Sequence, residues 1–334
     1  MQTRDPGARS RLRGTGRYLP ERVLDNAAVA QATGVDDAWI VQRTGIRERR
    51  VADDGVGTAA LAARAARRAL EDAALDASAL DVVLVATSTP DHLTPPTACQ
   101  VQAELGAERA AAFDVEAGFA GWVYALITAD ALLRAGVARN ALVVGADKLS
   151  TVTDRTDPAT APLFGDGAGA VVLDAAEGGL LLTGASWWAD GRLADALVRP
   201  AGGALRPFDE RVLEERSHLL RMEGTKLFRQ AVRTMAAQAD AALTRAGRAR
   251  DDVALVVPHQ ANLRIIDALR ERLDLDHGRV FVNIERYGNT GAATIPIALD
   301  EARETGEVPA AGVVLLVSFG AGATSGAAVL EPAP

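Results

Sequence analysis

Phe164-Gly-Asp-Gly-Ala-Gly-Ala-Val-Val-Leu173 returns in altered form as Phe319-Gly-Ala-Gly-Ala-Thr-Ser-Gly-Ala-Ala-Val-Leu330, and the pairing of these two stretches decides the architecture. Each follows an apolar run, Leu142-Val-Val-Gly-Ala-Asp147 in the first case and Leu315-Leu-Val-Ser318 in the second. The chain therefore reads as two similar halves, each closing with a strand, a Gly-rich turn and a return strand. Ala175–Gly179 is the expected seam, giving an N-terminal half over 1–176 and a C-terminal half over 177–334.

Outward from that repeat, β-branched apolar runs alternate with Ala-rich amphipathic stretches, which predicts a layered α/β fold. Strands are predicted at Val82–Ala86, Ala141–Gly145, Ala168–Leu173, Val253–Val257, Val313–Val317 and Gly326–Leu330. Helices are predicted at Thr58–Leu75, Pro96–Leu105, Ala120–Ala135, Gly224–Ala246, Asn262–Leu273 and Ala292–Thr305. Short strands with so few charges belong inside a sheet covered on both faces.

Composition narrows the function. The 334 residues are 49% hydrophobic, yet the longest apolar runs fall far short of the roughly 20 residues of a membrane span. A net charge of −8 argues against a nucleic-acid backbone as partner. Cys99 is the only cysteine, which excludes an intrachain disulfide and a Cys-based metal cluster and fits a reducing cytoplasm. No metal or ATP motif is present. Arg4, Arg9, Arg11 and Arg13 precede no apolar segment, so the first dozen residues read as a disordered or tag-like lead-in rather than a secretory signal. Gly165-Asp-Gly-Ala-Gly169 lacks the spacing of a dinucleotide loop and reads as a tight turn.

Three segments carry the candidate chemistry: Phe113-Asp-Val-Glu-Ala-Gly-Phe119-Ala-Gly-Trp-Val-Tyr-Ala-Leu126, Val257-Pro-His259-Gln-Ala-Asn262-Leu-Arg264, and Tyr287-Gly-Asn289-Thr-Gly291. His259 follows a buried strand, the usual location of α/β sites. Asn289 stands between glycines that permit backbone angles able to aim it into a cavity. With Tyr18-Leu-Pro-Glu-Arg22 and Trp39-Ile-Val-Gln-Arg43-Thr-Gly-Ile-Arg-Glu-Arg49, these motifs resemble ketoacyl-ACP synthase III over nearly the whole chain.

That resemblance implies a duplicated, five-layered αβαβα thiolase fold, a homodimer, and acyl-thioester chemistry on CoA or acyl carrier protein in fatty-acid-like or polyketide metabolism. No permanently bound cofactor is implied; the CoA or phosphopantetheine thioester is substrate. It also places a nucleophilic Cys at position 119, where this chain has Phe. A phenyl ring has neither lone pair nor titratable proton, so no acyl-enzyme can form there. His259 and Asn289 would hold the thioester carbonyl, with the backbone amides of Phe119 and Ala321 as a second oxyanion site. Trp39, Arg43, Arg155, Asn262 and Arg264 would meet CoA or the carrier protein. The family's second adenine-stacking Arg falls on Pro158, with Arg155 nearby. Cys99, Ser150, Thr151 and Thr153 are weaker alternative nucleophiles. The leading expectation is acyl transfer or malonyl-type decarboxylation without a Cys-bound intermediate. The alternatives are a Cys-dependent parent carrying an engineered change at 119, or a non-catalytic partner subunit.

Overall fold

The computed structural model describes residues 10–175 and 178–333. Nine strands form one mixed sheet: β1 Arg11–Tyr18, β2 Val82–Ala86, β3 Ala111–Val115, β4 Ala141–Lys148, β5 Asp166–Asp174, β6 Leu180–Trp188, β7 Val253–Pro258, β8 Val313–Gly320 and β9 Thr324–Pro332. Their order is β3-β2-β4-β5-β1-β6-β9-β8-β7. Outward from the centre, β1, β5, β4 and β2 are matched by β6, β9, β8 and β7. In both series two antiparallel pairs are followed by one parallel pair. The series join where Arg11 and Leu12 pair with Leu181 and Leu180. The boundary expected between 176 and 177 lies outside the described residues.

Seven main helices complete the layers: α1 Asp37–Thr44, α2 Thr58–Asp72, α3 Thr97–Leu105, α4 Gly121–Arg134, α5 Gly224–Ala246, α6 Leu263–Leu273 and α7 Thr294–Glu304. In the middle layer α4 and α7 bury Trp122, Leu126, Ile295 and Leu299 against β-strand residues of both halves, among them Val143 and Val171 on one side and Leu316 and Leu330 on the other. Alternation along β4 sends Leu142 and Val144 to the opposite face, under Ala62, Ala66 and Ala69 of α2 and Val101 of α3. Over the second half, Met235 and Ala239 of α5 and Leu269 of α6 cover Leu315, Val317 and Val329. The five layers are those of the thiolase fold.

Two expectations are corrected. Arg11 and Arg13 are not part of a lead-in, because they belong to the central strand β1; residues 1–9 lie outside the described residues. The strand has no run of β-branched residues since α2 lies directly upon it: a Cβ on Gly14 would stand 2.3 Å from Ala69 O and one on Gly16 2.4 Å from Ala69 N. The Gly165–Gly169 stretch is no turn either. It enters β5 at Asp166, and its glycines admit α7, with a Cβ on Gly169 reaching 2.6 Å from Ile297 N.

Candidate active site

Strand β3 delivers the chain into the turn Glu116–Ala120, after which α4 begins. Gly118 takes φ 54° there, and a Cβ on it would meet Ala321 N at 2.5 Å, so only glycine fits. Glu116 Oε1 accepts from the Gly118 N–H at 2.7 Å and from the Ser88 hydroxyl at 3.3 Å. From the other half, the turn after β8 comes so close that a Cβ on Gly320 would stand 2.5 Å from Phe119 N. The backbone at Phe119 and at Ala321 thus meets across the pseudo-symmetric halves. The Phe119 ring, 7% exposed, lies edge-on to Phe164 with centroids 5.9 Å apart, and 5.7 Å from the His259 ring.

His259 leaves the end of β7 with its N–H donating to Val317 O at 2.8 Å. It is 2% exposed, and burial lowers its pKa to about 3, so the imidazole is neutral near pH 7. Its Nδ1 lies 2.6 Å from Oγ1 of Thr294, the buried first residue of α7. No other acceptor for that hydroxyl proton occurs among the described residues, so Thr294 donates and Nδ1 accepts. The ring proton then sits on Nε2. Asn289 is pinned by its own N–H to Leu163 O at 2.8 Å and by Gly165 N–H to its carbonyl at 3.0 Å. Its Oδ1 accepts from Gly291 N at 2.9 Å, which leaves Nδ2 as the donor at the cavity wall. Both side chains therefore offer N–H groups.

Asp147, fully buried at the end of β4, fixes the Asn289 turn from behind. It accepts from Ala292 N at 2.8 Å, Ser88 N at 2.8 Å, Thr89 Oγ1 at 2.9 Å and Thr87 Oγ1 at 3.1 Å. Burial outweighs these bonds and raises its pKa to about 6; burial, helped by the nearby Asp147 charge, raises that of Glu116 to about 7. Thr294, Asp147 and Glu116 escaped the sequence reading, since nothing local to any of them marks it as a neighbour of His259, Asn289 or Phe119.

Phe119, His259 and Asn289 line a cavity of about 330 Å³ whose other walls include Leu227, Met235 and Phe319. Trp39, Arg43, Asn262 and Arg264 line it too. The Arg43 guanidinium stacks 5.0 Å from the Trp39 ring centroid. Asn262 ties α1 to α6, donating from Nδ2 to Arg43 O at 3.0 Å and accepting from Arg264 N at 2.9 Å. Ala321 is not a lining residue; its neighbour Gly320 is, and Ala321 N packs against Gly118. Arg155 is not brought to this site. Pro158 occupies the wall, and Arg155 lines a separate cavity, because the segment Ser150–Pro158 winds through short turns that carry the two residues apart.

The alternative nucleophiles are elsewhere as well. Cys99 lies half-buried on α3, its Sγ 3.7 Å from Ala112 O. Ser150 donates to Asp166, Thr151 to Lys148 O and Thr153 to Leu149 O. No group of three or more His, Cys, Asp or Glu side chains placed to hold a metal occurs among the described residues. No helix among them is long and apolar enough to cross a membrane.

Residues 113–191 match the model of 3-oxoacyl-[acyl-carrier-protein] synthase III, and residues 243–331 match that of its C-terminal domain. β-Ketoacyl-[acyl-carrier-protein] synthase III of Roseiflexus castenholzii is 48% identical over 96% of this chain and 97% of its own; that of Caldanaerobacter subterraneus is 44% identical over 95% and 96%. The crystal structure of 3-oxoacyl-[acyl-carrier-protein] synthase III from Aquifex aeolicus superposes with a TM-score of 0.89 at 42% identity, covering 96% of this chain and 99% of that one. The priming β-ketosynthase of the R1128 polyketide pathway superposes at 0.90 with 36% identity over the full length of both. With a shared fold, near full-length coverage and identities of 36% to 48%, this chain belongs to the 3-oxoacyl-[acyl-carrier-protein] synthase III family.

Proposed function

We propose that the protein is an acyltransferase working on CoA or carrier-protein thioesters without a Cys-bound intermediate. One observation carries this reading: a neutral, Nε2-protonated His259 and the Nδ2 amide of Asn289 converge on an apolar cavity whose remaining reactive position is a phenyl ring. Two preorganised N–H donors on an apolar cavity favour an oxygen that gains negative charge. In a malonyl-type thioester, the bond between Cα and the carboxylate breaks, CO₂ leaves, and the electron pair moves into an enolate whose oxygen the two donors hold. A proton from water then restores the acetyl thioester. In direct transfer, an acceptor's lone pair attacks the thioester carbonyl, the tetrahedral oxyanion takes the same donors, and the thiolate departs. The Phe119 and Ala321 amides form a second oxyanion site.

The Trp39–Arg43 stack suits an adenine or a phosphate at the cavity mouth, and Arg264 suits an acidic carrier protein. The protein acts in the cytoplasm as a homodimer, in fatty-acid-like or polyketide metabolism. Edge strand β3, which pairs with β2 alone and carries a partly exposed Phe113, supports the dimer. Incubation with acetyl- and malonyl-thioesters, followed by thioester quantification and intact-mass analysis, tests the reading. Consumption without a protein adduct supports it. An adduct localised to Cys99 or a hydroxyl overturns the non-covalent step. No consumption of either thioester leaves a non-catalytic partner subunit, or a parent whose Cys was replaced at 119, as the better account.

A further inference from the structure

Arg155, absent from the main cavity, points to a second site. It lies with Arg22 on a separate cavity of about 220 Å³ between the short helix Asn26–Thr33 and the turn that starts at Ser150. Leu24, Val29, Val51, Ala161 and Phe164 supply an apolar wall. Among the described residues, neither guanidinium has a hydrogen-bond, ion-pair or ring partner. Of the nearby carboxylates, Asp154 accepts from Arg216 and Thr156 and Asp25 caps the helix at Ala28 N, while Glu21, next to Arg22 in the chain, forms no ion pair with it. Two unpaired cations on one small hydrophobic chamber are an unusual arrangement in a chain of net charge −8.

Two hydroxyls also line the chamber, and both protons point into the protein, Ser150 to Asp166 and Thr153 to Leu149 O. The charge-bearing donors are therefore Arg22 and Arg155 alone. An anionic head on a short hydrocarbon body matches this division, with the head between two exposed guanidiniums and the chain against Val29, Val51 and Phe164. The chamber is smaller than the ~300–1,000 Å³ typical of drug-sized pockets, which favours a compact ligand. Phe164 lines both cavities, and its ring meets Phe119 edge-on, so the second chamber shares a wall with the first.

We infer that this chamber binds a short- or medium-chain monocarboxylate, with Arg22 and Arg155 holding its carboxylate. Binding requires no turnover, so its failure is distinct from failure of the acyltransferase reading. Titration calorimetry of the full chain with octanoate should give saturable binding. Arg22→Ala/Arg155→Ala, both surface positions, should weaken it tenfold or more, and Ala28→Trp should abolish it by filling the chamber from its exposed helix. Thermal unfolding of the variants checks that each remains folded. 1-Octanol or inorganic phosphate binding as tightly as octanoate would overturn the proposal, since one lacks the charge and the other the chain. So would octanoate binding that neither the double variant nor Ala28→Trp alters.

Discussion

Two turns start the two central helices of this molecule, and they are built alike but carry unlike chemistry. In the first half, Glu116 holds Gly118 N–H and the chain presents Phe119 ahead of α4. In the second, buried Asp147 holds Ala292 N–H and the chain presents Asn289 ahead of α7. Both turns rely on a positive-φ glycine that nothing larger could replace, Gly118 in one and Gly291 in the other. The side chain presented is thus independent of the device presenting it.

Restoring a thiol should break the comparison most visibly. Phe119→Cys is expected to gain an acyl adduct on incubation with acyl-CoA and to alkylate faster with iodoacetamide than Cys99, because the new thiol meets the start of α4 and its positive dipole end. Intact-mass analysis reads the change against a parent that forms no adduct at 119. A thiol no more reactive than Cys99 would mean that the first turn keeps its shape without its electrostatics.

The second turn carries the next effect. His259→Ala and Asn289→Ala should each slow thioester consumption by about 10²-fold or more, the usual scale of a lost oxyanion donor, while thioester affinity changes little. Rates at matched, saturating substrate decide it. Equal rates in parent and variants would remove the oxyanion role.

A smaller loss is expected from the support behind His259. Thr294→Val removes the hydroxyl that donates to Nδ1 and frees the ring to carry its proton there, with a cost of about 1–1.5 kcal/mol, or about tenfold in rate. Thr294→Ser should restore most of it. If Ser rescues no better than Val, shape rather than tautomer is what Thr294 provides.

The smallest effect separates the two carboxylates by pH. Glu116 is raised to about 7 in the folded state, so the native protein holds a proton there that the unfolded chain has already released. Stability from this group is present at low pH and is lost as pH rises through 7. Glu116→Gln keeps an acceptor for Gly118 N–H without the charge, and its melting temperature should exceed the parent's at pH 8 and converge with it below pH 4.5. Buried His259 acts in the opposite sense, with stability falling as pH drops below its ordinary value of 6.5. A Glu116→Gln advantage that is constant across pH would show that the carboxyl titrates alike in the folded and unfolded chain, so that its pKa is not raised.

Much of the fold was legible because some elements carry their own period. The strand Val82–Ala86 and the helix Gly224–Ala246 coincide with the predicted bounds, the first a continuous apolar run and the second long and amphipathic. Strand β1 was not legible, since its residues alternate arginine with leucine, glycine and threonine and its identity comes from the helix lying on it. Strand β6, Leu180–Trp188, went unread although it pairs with β9 along nearly its whole length. At the site, the motifs around His259, Asn289 and Phe119 converge on one cavity, and so do Trp39, Arg43, Asn262 and Arg264. Arg155 does not, because nearness in sequence to Pro158 says nothing about which side of a turn a side chain leaves.

What the sequence determined by itself was the duplicated α/β plan and that the Phe119 side chain offers no nucleophile, since periodicity and elementary reactivity are properties of residues and their spacing. Tertiary structure alone decided that His259 is neutral with its proton on Nε2, that Asp147 and Glu116 brace two turns, and that Arg22 and Arg155, 133 positions apart, line one cavity. Burial, tautomer and long-range pairing depend on which surfaces the fold brings together, and none of these is written in any local stretch of residues.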